Sequence, residues 1–187
     1  MRVLITGVTG FVGSHLAEYI LANHSNVEVY GIKLWRSPLD NIKEVEEKIE
    51  LLNCDLRDLS SLIHVLCHVK PDVIFHLAAQ SYVQTSFTAP LDTIDTNVSG
   101  TFKLLEAIRI CKLDPTVHVC SSSEVYGQVT QEDIPIKEDC PLRPVSPYAV
   151  SKVGEDMAAY MYFKAYGLKT IRSRMFTHSG PRRGEVF

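Results

Sequence analysis

In the stretch "TGVTGFVGSHLAEYI" (6–20), three glycines separate a short β-branched run from a segment with helical periodicity. Their spacing is G-x-x-G-x-x-G, not the G-x-G-x-x-G of the usual dinucleotide fingerprint. A dinucleotide site needs a tight turn, close approach of the backbone to a pyrophosphate, and close packing of helix on strand. Because the glycines directly follow the first apolar run, we predict a strand–turn–helix unit that binds a dinucleotide. Its predicted contacts are Gly7, Gly10, Phe11, Val12 and Gly13.

Short β-branched runs and segments with helical periodicity alternate along most of the chain. The predicted strands are 2–6, 27–32, 49–53, 72–78, 116–121 and 169–175. The predicted helices are 11–23, 58–69, about 92–112 and 147–166. Several strands are nearly continuous apolar runs, which is typical of parallel strands covered on both faces. The pattern therefore predicts an α/β fold, a Rossmann-like doubly wound parallel sheet with helices on both faces.

The composition is that of an ordinary globular domain. The 187 residues are 45% hydrophobic and 22% charged, with a formal net charge of −3. This charge argues against binding to nucleic acid or to an anionic membrane, and no apolar run is long enough to span a bilayer. The five cysteines are odd in number and lack C-x-x-C spacing, which argues against a disulfide framework or a metal site. We predict a cytoplasmic protein with no metal, no nucleic-acid partner and no membrane segment.

The end of the second predicted strand indicates which dinucleotide is bound. NAD-binding units place Asp or Glu there to hold the ribose 2′-hydroxyl, and "VEVYGIKLWRS" (27–37) has no acid at that point. Lys33 and Arg36 follow instead, and a cation favours a 2′-phosphate. We therefore predict NADP over NAD, the alternative being that both residues are ordinary solvated charges. Further cofactor contacts are predicted where later strands end, at Asp55, Leu56, Leu77, Ala78, Ala79 and Gln80.

The last predicted helix begins with a pair of residues suited to proton transfer. In "YAVSK", Tyr148 and Lys152 are neighbours on one helix face, and a cation that lowers the phenol pKa from about 10 makes the phenol a usable base. The spacing alone is not specific, because Tyr160 and Lys164 repeat it about 120° further round the helix. Tyr148 follows the long loop after the fifth strand, at the ligand-binding edge of an open α/β sheet. We predict that Tyr148 and Lys152 are catalytic and that Tyr160 packs against the core.

Together these motifs resemble the extended short-chain dehydrogenases/reductases, the family of sugar-nucleotide epimerases and dehydratases. Within that family, four segments are similar to the GDP-mannose 4,6-dehydratases. They are "HLAAQSYVQTSFTAP" (76–90), "DTNVSGTFKLLEAIR" (95–109), "SPYAVSK" (146–152) and "GPRRGEVF" (180–187). The resemblance implies that 1–176 form an NADP-binding Rossmann domain and that 177–187 begin a substrate-binding lobe, the rest of which is missing from this chain. It also implies a homo-oligomer, a dimer or a tetramer.

The resemblance further implies a catalytic set around "CSSSEVYG", the stretch that follows the fifth strand. Ser122, Ser123 and Glu124 occupy the positions of the family's hydroxyl residue, short polar residue and glutamate, and Tyr148 and Lys152 complete the site. The implied reaction converts GDP-mannose to GDP-4-keto-6-deoxy-mannose, with bound NADP taking up a hydride and returning it. In this lyase reaction Tyr148 takes the 4-hydroxyl proton and Glu124 takes the C5 proton. Ser122 holds the 4-oxygen, and Ser123 or Glu124 supplies the proton that leaves with water.

The implied substrate contacts are Ser81, Ser86, Thr177, His178, Arg182 and Arg183. Two positions depart from the family pattern, since Ser122 stands where threonine is usual and Thr177 where many members have asparagine. The second departure leaves the identity of the sugar nucleotide open. The arginine pair suits bidentate phosphate binding, the alternative being a solvated basic tail.

Two other functions stay open at this point. One is a reductase or epimerase of the same family, for instance a GDP-4-keto-6-deoxy-mannose reductase, which needs the Ser–Tyr–Lys set but no base at C5. The other is a cofactor-binding module without catalysis. Glu124 is the residue that separates a dehydratase from the first alternative.

Overall fold

The computed structural model describes residues 1–184 and confirms the predicted fold. Six strands form one parallel sheet in the order β3-β2-β1-β4-β5-β6. They are β1 (Arg2–Thr6), β2 (Glu28–Lys33), β3 (Glu50–Asn53), β4 (Val73–His76), β5 (Thr116–Cys120) and β6 (Thr170–Ser173). The strand order reverses between β1 and β4, and ligands of doubly wound sheets bind beside the carboxyl ends at such a reversal.

Helices cover both faces of the sheet, as predicted. They are α1 (Phe11–Asn23), α2 (Leu59–Val69), α3 (Val83–Thr88), α4 (Pro90–Ile94), α5 (Gly100–Ile110) and α6 (Pro147–Tyr166). On one face Ala17 and Ile20 of α1 pack with buried residues of β1 and β2. On the other face α2, α5 and α6 form a larger apolar cluster over β1, β4 and β5. No helix within residues 1–184 is long and apolar enough to cross a membrane.

The helix predicted over about 92–112 is present, but a π-helical turn (Asp95–Ser99) separates α4 from α5. Such turns are frequent at functional sites. Asn97 lies in this turn, buried, and its side chain accepts from the backbone N–H of Gln80 at 2.7 Å and donates to Ser151 Oγ at 2.9 Å. The turn therefore ties the loop after β4 to α6.

The start of α6 is set by its first residues. Ser146 Oγ accepts a hydrogen bond from the backbone N–H of Ala149 at 3.0 Å, and Pro147 occupies the first turn, where its missing N–H costs nothing. At the other end Gly167 has φ +70°, the left-handed conformation that closes a helix. These boundaries place Tyr148 in the first turn of α6, at the carboxyl edge of the sheet.

Candidate active site

A cleft of about 740 Å³ opens at the carboxyl edge of the sheet, within the size range of small-molecule sites. The segments that follow all six strands and the first turns of α1 and α6 form its walls. The predicted residues that line it are Gly7, Gly10, Phe11, Val12, Gly13, Lys33, Asp55, Leu56, Leu77, Ala78, Ala79, Ser81, Ser122, Ser123, Glu124, Tyr148, Lys152, Thr177, His178 and Arg183. Residues predicted from separate motifs therefore share one site. Residues 185–187 of the predicted substrate region lie outside the described part of the chain.

The glycine loop forms a cradle that side chains would fill. A Cβ on Gly13 would lie 2.3 Å from the carbonyl oxygen of Gly7, and a Cβ on Gly7, which has φ +71°, would lie 2.9 Å from Ala78 Cα. Gly10 precedes the first turn of α1 and provides no side-chain cap for it. The backbone N–H groups of that turn and the positive end of the helix dipole therefore favour an anion in the cleft. The cradle fits the pyrophosphate of a dinucleotide.

A buried hydrogen-bond network holds the loops after β1 and β4 together. Thr6 Oγ1 accepts from the backbone N–H groups of Leu77 and Ala78, both at 3.0 Å, and lies 2.9 Å from His76 Nδ1. Thr101 Oγ1 donates to the Asn97 carbonyl at 2.6 Å, so it accepts from His76 Nε2 at 2.9 Å. Burial lowers the pKa of His76 to about 3, which keeps its imidazole neutral. The network fixes the close approach of Gly7 and Ala78.

The residues after β2 and β3 form the far end of the cleft from α6. Lys33 lines it, and Lys33 Nζ donates to Asn53 Oδ1 at 3.1 Å and to the Leu34 carbonyl at 3.4 Å. Asp55 lines it too, and Arg57 binds this carboxylate at 2.8 Å and holds its pKa below the usual range. This end of the cleft therefore presents a lysine cation and a paired carboxylate.

The loop after β5 presents the predicted acid–base groups. Ser122 Oγ accepts from the backbone N–H of Glu124 at 3.2 Å and so caps a single 3₁₀ turn (Ser123–Val125). This turn directs Glu124, which is exposed, into the cleft. Further along, Gly127 has φ +56°, and a Cβ there would lie 1.7 Å from the Arg143 carbonyl oxygen, so the loop is tightly folded on itself. Ser122 and Glu124 are thereby set at the edge of the cleft.

The predicted lowering of the Tyr148 pKa is only partly right. Burial raises the pKa of Tyr148, while the charge of Lys152 and a hydrogen bond with Ser122 lower it, and the balance is a pKa above the usual value. The Lys152 effect has the predicted direction, but desolvation of the phenolate outweighs it. On these groups alone, the phenol keeps its proton at neutral pH.

Lys152 is buried beside a carboxylate that was not among the predicted site residues. Lys152 Nζ donates to Glu155 Oε2 at 2.6 Å, and the side chains are 4% and 2% exposed. Burial on its own would lower the pKa of Lys152, but Glu155 outweighs it and the pKa is raised, so Lys152 is a cation. Ser121 also contributes, since its Oγ donates to the Lys152 carbonyl at 3.3 Å and ties α6 to the end of β5.

Four predicted site residues lie outside the cleft lining, each because its side chain has another partner. Gln80 Nε2 donates to Thr93 Oγ1 at 2.9 Å. Ser86 is fully buried, and its hydroxyl donates to the Val83 carbonyl of its own helix at 2.6 Å. The Arg36 guanidinium lies 4.3 Å from the centroid of the Trp35 ring. Arg182 pairs with Glu18 of α1 at 2.6 Å. The predicted ligand contacts of these four side chains stay predictions, and each would require the side chain to leave the partner named here.

The second Tyr–Lys pair lies away from the cleft, as the helical geometry predicts. Tyr160 does not pack against the core, however, since it is 44% exposed and its ring centroid lies 5.7 Å from Lys164 Nζ and 5.0 Å from the Arg172 guanidinium. The packing prediction for Tyr160 was wrong because this ring lies on the solvent-facing side of α6, between two cations. Tyr160 and Lys164 therefore provide a matched surface control for Tyr148 and Lys152.

Comparisons with known proteins indicate the family of the chain. The family model for GDP-mannose 4,6 dehydratase matches residues 4–187. The chain belongs to this family. A GDP-mannose 4,6-dehydratase of Vibrio cholerae is 42% identical over 197 residues, which cover the whole of this chain and 52% of that relative. The human GDP-mannose 4,6 dehydratase is 36% identical, with 98% of this chain and 52% of the relative covered. The chain thus spans about half the length of these relatives.

Solved structures of the wider group share the fold. A dTDP-glucose 4,6-dehydratase from Streptomyces venezuelae, with NAD and TYD bound, has a TM-score of 0.89 and 33% identity over 98% of this chain and 58% of that one. The structure of RMD from Pseudomonas aeruginosa complexed with NADPH has a TM-score of 0.82 and 31% identity over the whole of this chain and 57% of that one. The neighbours include both NAD and NADPH complexes.

Proposed function

We propose that the protein carrying this chain is a lyase, a GDP-mannose 4,6-dehydratase. One observation supports this most, namely that Glu124 lines the same cleft as Tyr148 and Lys152. A carboxylate placed there supplies the base that removes a carbon-bound proton, which a simple reductase or epimerase does not need. Three relatives that are 39–42% identical carry this activity in their names, and none of these names favours the alternatives.

Each residue has a step that its position allows. Tyr148 accepts the proton of the sugar 4-hydroxyl, and Lys152 stabilises the phenolate that does so. Ser122, which lines the cleft beside Tyr148, holds the 4-oxygen through its hydroxyl. Once C4 is a ketone the C5 proton is acidic, and Glu124 removes it, with Glu124 or Ser123 protonating the departing 6-hydroxyl. Positioned groups of this kind contribute about 10²–10⁴-fold each.

A nicotinamide dinucleotide, when bound, supplies the hydride acceptor and donor for this cycle. The glycine cradle and the first turn of α1 would hold its pyrophosphate, and Ala78 and Ala79 would let it lie against the backbone. We propose NADP as the dinucleotide, because Lys33 lies at the cleft where NAD-specific units carry an acid. Arg36 would have to leave the Trp35 ring to contribute.

Replacing Lys33 or Arg36 by alanine is expected to weaken NADP⁺ binding more than NAD⁺ binding. Removing one cation from the 2′-phosphate should lower the NADP⁺/NAD⁺ affinity ratio by about tenfold, the equivalent of a single charge-assisted hydrogen bond. Isothermal titration of each variant with both dinucleotides measures the ratio. Lys43→Ala is the control, because Lys43 pairs with Asp40 away from the cleft and its replacement should leave the ratio unchanged. An unchanged ratio in both test variants contradicts the NADP assignment.

Replacing Glu124 by glutamine is expected to reduce formation of the 4-keto-6-deoxy product by about 10²–10⁴-fold. Glutamine preserves shape but cannot accept the C5 proton. The assay incubates the full-length protein with GDP-mannose and NADP⁺ in D₂O and follows both loss of water by mass spectrometry and deuterium at C5 by NMR. Glu132→Gln is the matched control, since Glu132 is an exposed glutamate of the same loop that does not line the cleft.

Two results would count against the dehydratase. If Glu124→Gln formed the product at the parent rate, Glu124 would not be the base that removes the C5 proton. Stoichiometric consumption of added NADPH by the parent protein, with no loss of water, would point to a reductase of the same family.

Three further predictions can be tested on the full-length protein. Limited proteolysis tests whether residues 177–187 begin a substrate lobe, light scattering tests for a homo-oligomer, and cell fractionation tests for a cytoplasmic location.

A further inference from the structure

The Lys152–Glu155 pair is the one buried charge pair behind the proposed catalytic tyrosine within residues 1–184. Glu155 is 1% exposed and does not line the cleft, whereas Lys152 and Tyr148 do. Tyr148 and Glu155 are seven residues apart, about two helical turns, so they share one side of α6 with Lys152 between them. Glu155 therefore has no direct contact with the cleft and can influence groups in it only through Lys152.

The surroundings of Glu155 disfavour its anionic form. Oε2 accepts from Lys152, but Oε1 is buried and has no hydrogen-bond partner within the described residues. Burial raises the pKa of Glu155 to about 7, with Lys152 opposing this and Asp156 adding to it. A buried carboxylate with one unpaired oxygen is poorly stabilised, so it can gain a proton near neutral pH.

The titratable and charged groups around the pair come from α6, β4, β5 and the end of β6. On α6 they are Tyr148, Lys152 and Asp156, and Asp156 is held by Arg172 at 2.6 Å and Arg174 at 2.9 Å. Burial raises the pKa of the Cys120 thiol on β5, while the charge of Lys152 lowers this pKa and that of Glu155 raises it. Burial and the charge of Lys152 both lower the pKa of His76 on β4, so its imidazole is neutral. Glu155 and Tyr148 are therefore the two groups whose protonation changes around a fixed Lys152 cation.

We propose that Glu155 is a positioning residue that acts on Tyr148 through Lys152. As a carboxylate it holds the ammonium and neutralises its charge, which leaves the Tyr148 phenol difficult to ionise. When Glu155 binds a proton, the full charge of Lys152 acts on Tyr148 and the phenolate becomes easier to form. The state with Glu155 ionised and Tyr148 protonated has the same net charge as the state with Glu155 protonated and Tyr148 ionised, because the O–H bond lost at Tyr148 is matched by the O–H bond gained at Glu155. Tyr148 and Glu155 thus titrate as a coupled pair.

This inference rests on the proposed function only in taking Tyr148 as the base, and its test needs no turnover. Full-length protein is labelled with ¹³C at the Glu side-chain carboxyl and the Tyr Cζ carbons, and the Tyr148→Phe and Glu155→Gln variants assign the resonances. Over a pH titration, the Tyr148 signal should show an inflection at the midpoint of Glu155. In Glu155→Gln that inflection should vanish, and Tyr148 should ionise about one pH unit lower.

Two further variants separate coupling from structure. Glu155→Asp keeps the charge and should restore the inflection, whereas Asp156→Asn changes the neighbouring buried carboxyl and should leave it in place. A Tyr148 signal that passes through the Glu155 midpoint without change overturns the inference, as does an unshifted Tyr148 in Glu155→Gln. Should Glu155→Gln fail to fold, Glu155→Asp, which also removes the labelled Glu155 carboxyl signal, assigns that resonance, and the titration of the parent protein then decides. Coupling in a protein that dehydrates nothing would contradict the proposed function but not this inference.

Discussion

Tyr148→Phe is expected to lower kcat for the proposed dehydration by about 10²–10⁴-fold while leaving dinucleotide affinity within about tenfold. Tyr148 lines the cleft with Ser122, which would hold the 4-oxygen, and the Lys152 charge and Ser122 both lower the pKa of its phenol. Removing its oxygen takes away the proton acceptor but leaves the ring and the helix cap of α6. Steady-state rates with GDP-mannose, together with titration of the dinucleotide, measure the two effects separately.

Tyr160→Phe is the matched control for this prediction. It makes the same chemical change within the same Y-x-x-x-K spacing on the same helix, but at an exposed ring outside the cleft. Its kcat should stay within about twofold of the parent value, because surface substitutions change little. Equal loss of activity in both variants, or no loss in either, would contradict the assignment of Tyr148 as the base.

The fold was predictable because its information is local. Glycine spacing, apolar runs and cap residues are read within a few positions, and each predicted strand and helix is present within a few residues of its prediction. The short helix α3 was not predicted. Even the choice between the two Tyr–Lys pairs followed from helix periodicity and from the edge at which parallel strands end. The π-helical turn at Asn97 was not predictable in this way, since it depends on contacts with Gln80 and Ser151, residues far away in the sequence.

The site was predictable only in part, for a related reason. Motif residues reach the cleft because the backbone places them there, but side-chain direction depends on competing partners. Gln80 and Arg182 turn to Thr93 and Glu18, contacts that no local pattern indicates. Likewise Cys67 and Cys111, 44 residues apart, bring their sulfur atoms within 2.7 Å although their spacing suggests no relation. Glu155 was missed because an acid three residues after a lysine is, on most helices, a solvated pair.

Lys152→Met is expected to lower the free energy of unfolding by about 3–5 kcal/mol, as well as to abolish activity. Methionine can occupy the lysine's buried volume, but it leaves Glu155 without its only hydrogen-bond partner among the described residues. Chemical denaturation followed by circular dichroism measures the change. Lys164→Met on the exposed face of α6 should stay within about 0.5 kcal/mol of the parent.

The destabilisation in Lys152→Met should depend on pH in a defined direction. Burial already raises the pKa of Glu155 to about 7, and removing the opposing cation raises it further. A carboxyl with a raised pKa in the folded state binds its proton more tightly there than in the unfolded chain. Its contribution is fully present below the unfolded pKa of about 4.3 and is lost as pH rises through the folded value. The variant should therefore be closer to the parent at pH 5 than at pH 8.

The double variant Lys152→Met/Glu155→Gln tests whether this deficit comes from the stranded carboxylate. With no ionisable group left at either position, the double variant should recover most of the stability missing in Lys152→Met and should lack the pH dependence that Glu155 contributes between about 5 and 8. Such non-additivity measures the coupling of the two side chains directly. A double variant as unstable as Lys152→Met at every pH would instead mean that the lysine stem, and not its charge, holds α6 against the end of β5. In that case the charge of Glu155 would have no part in the stability of the site.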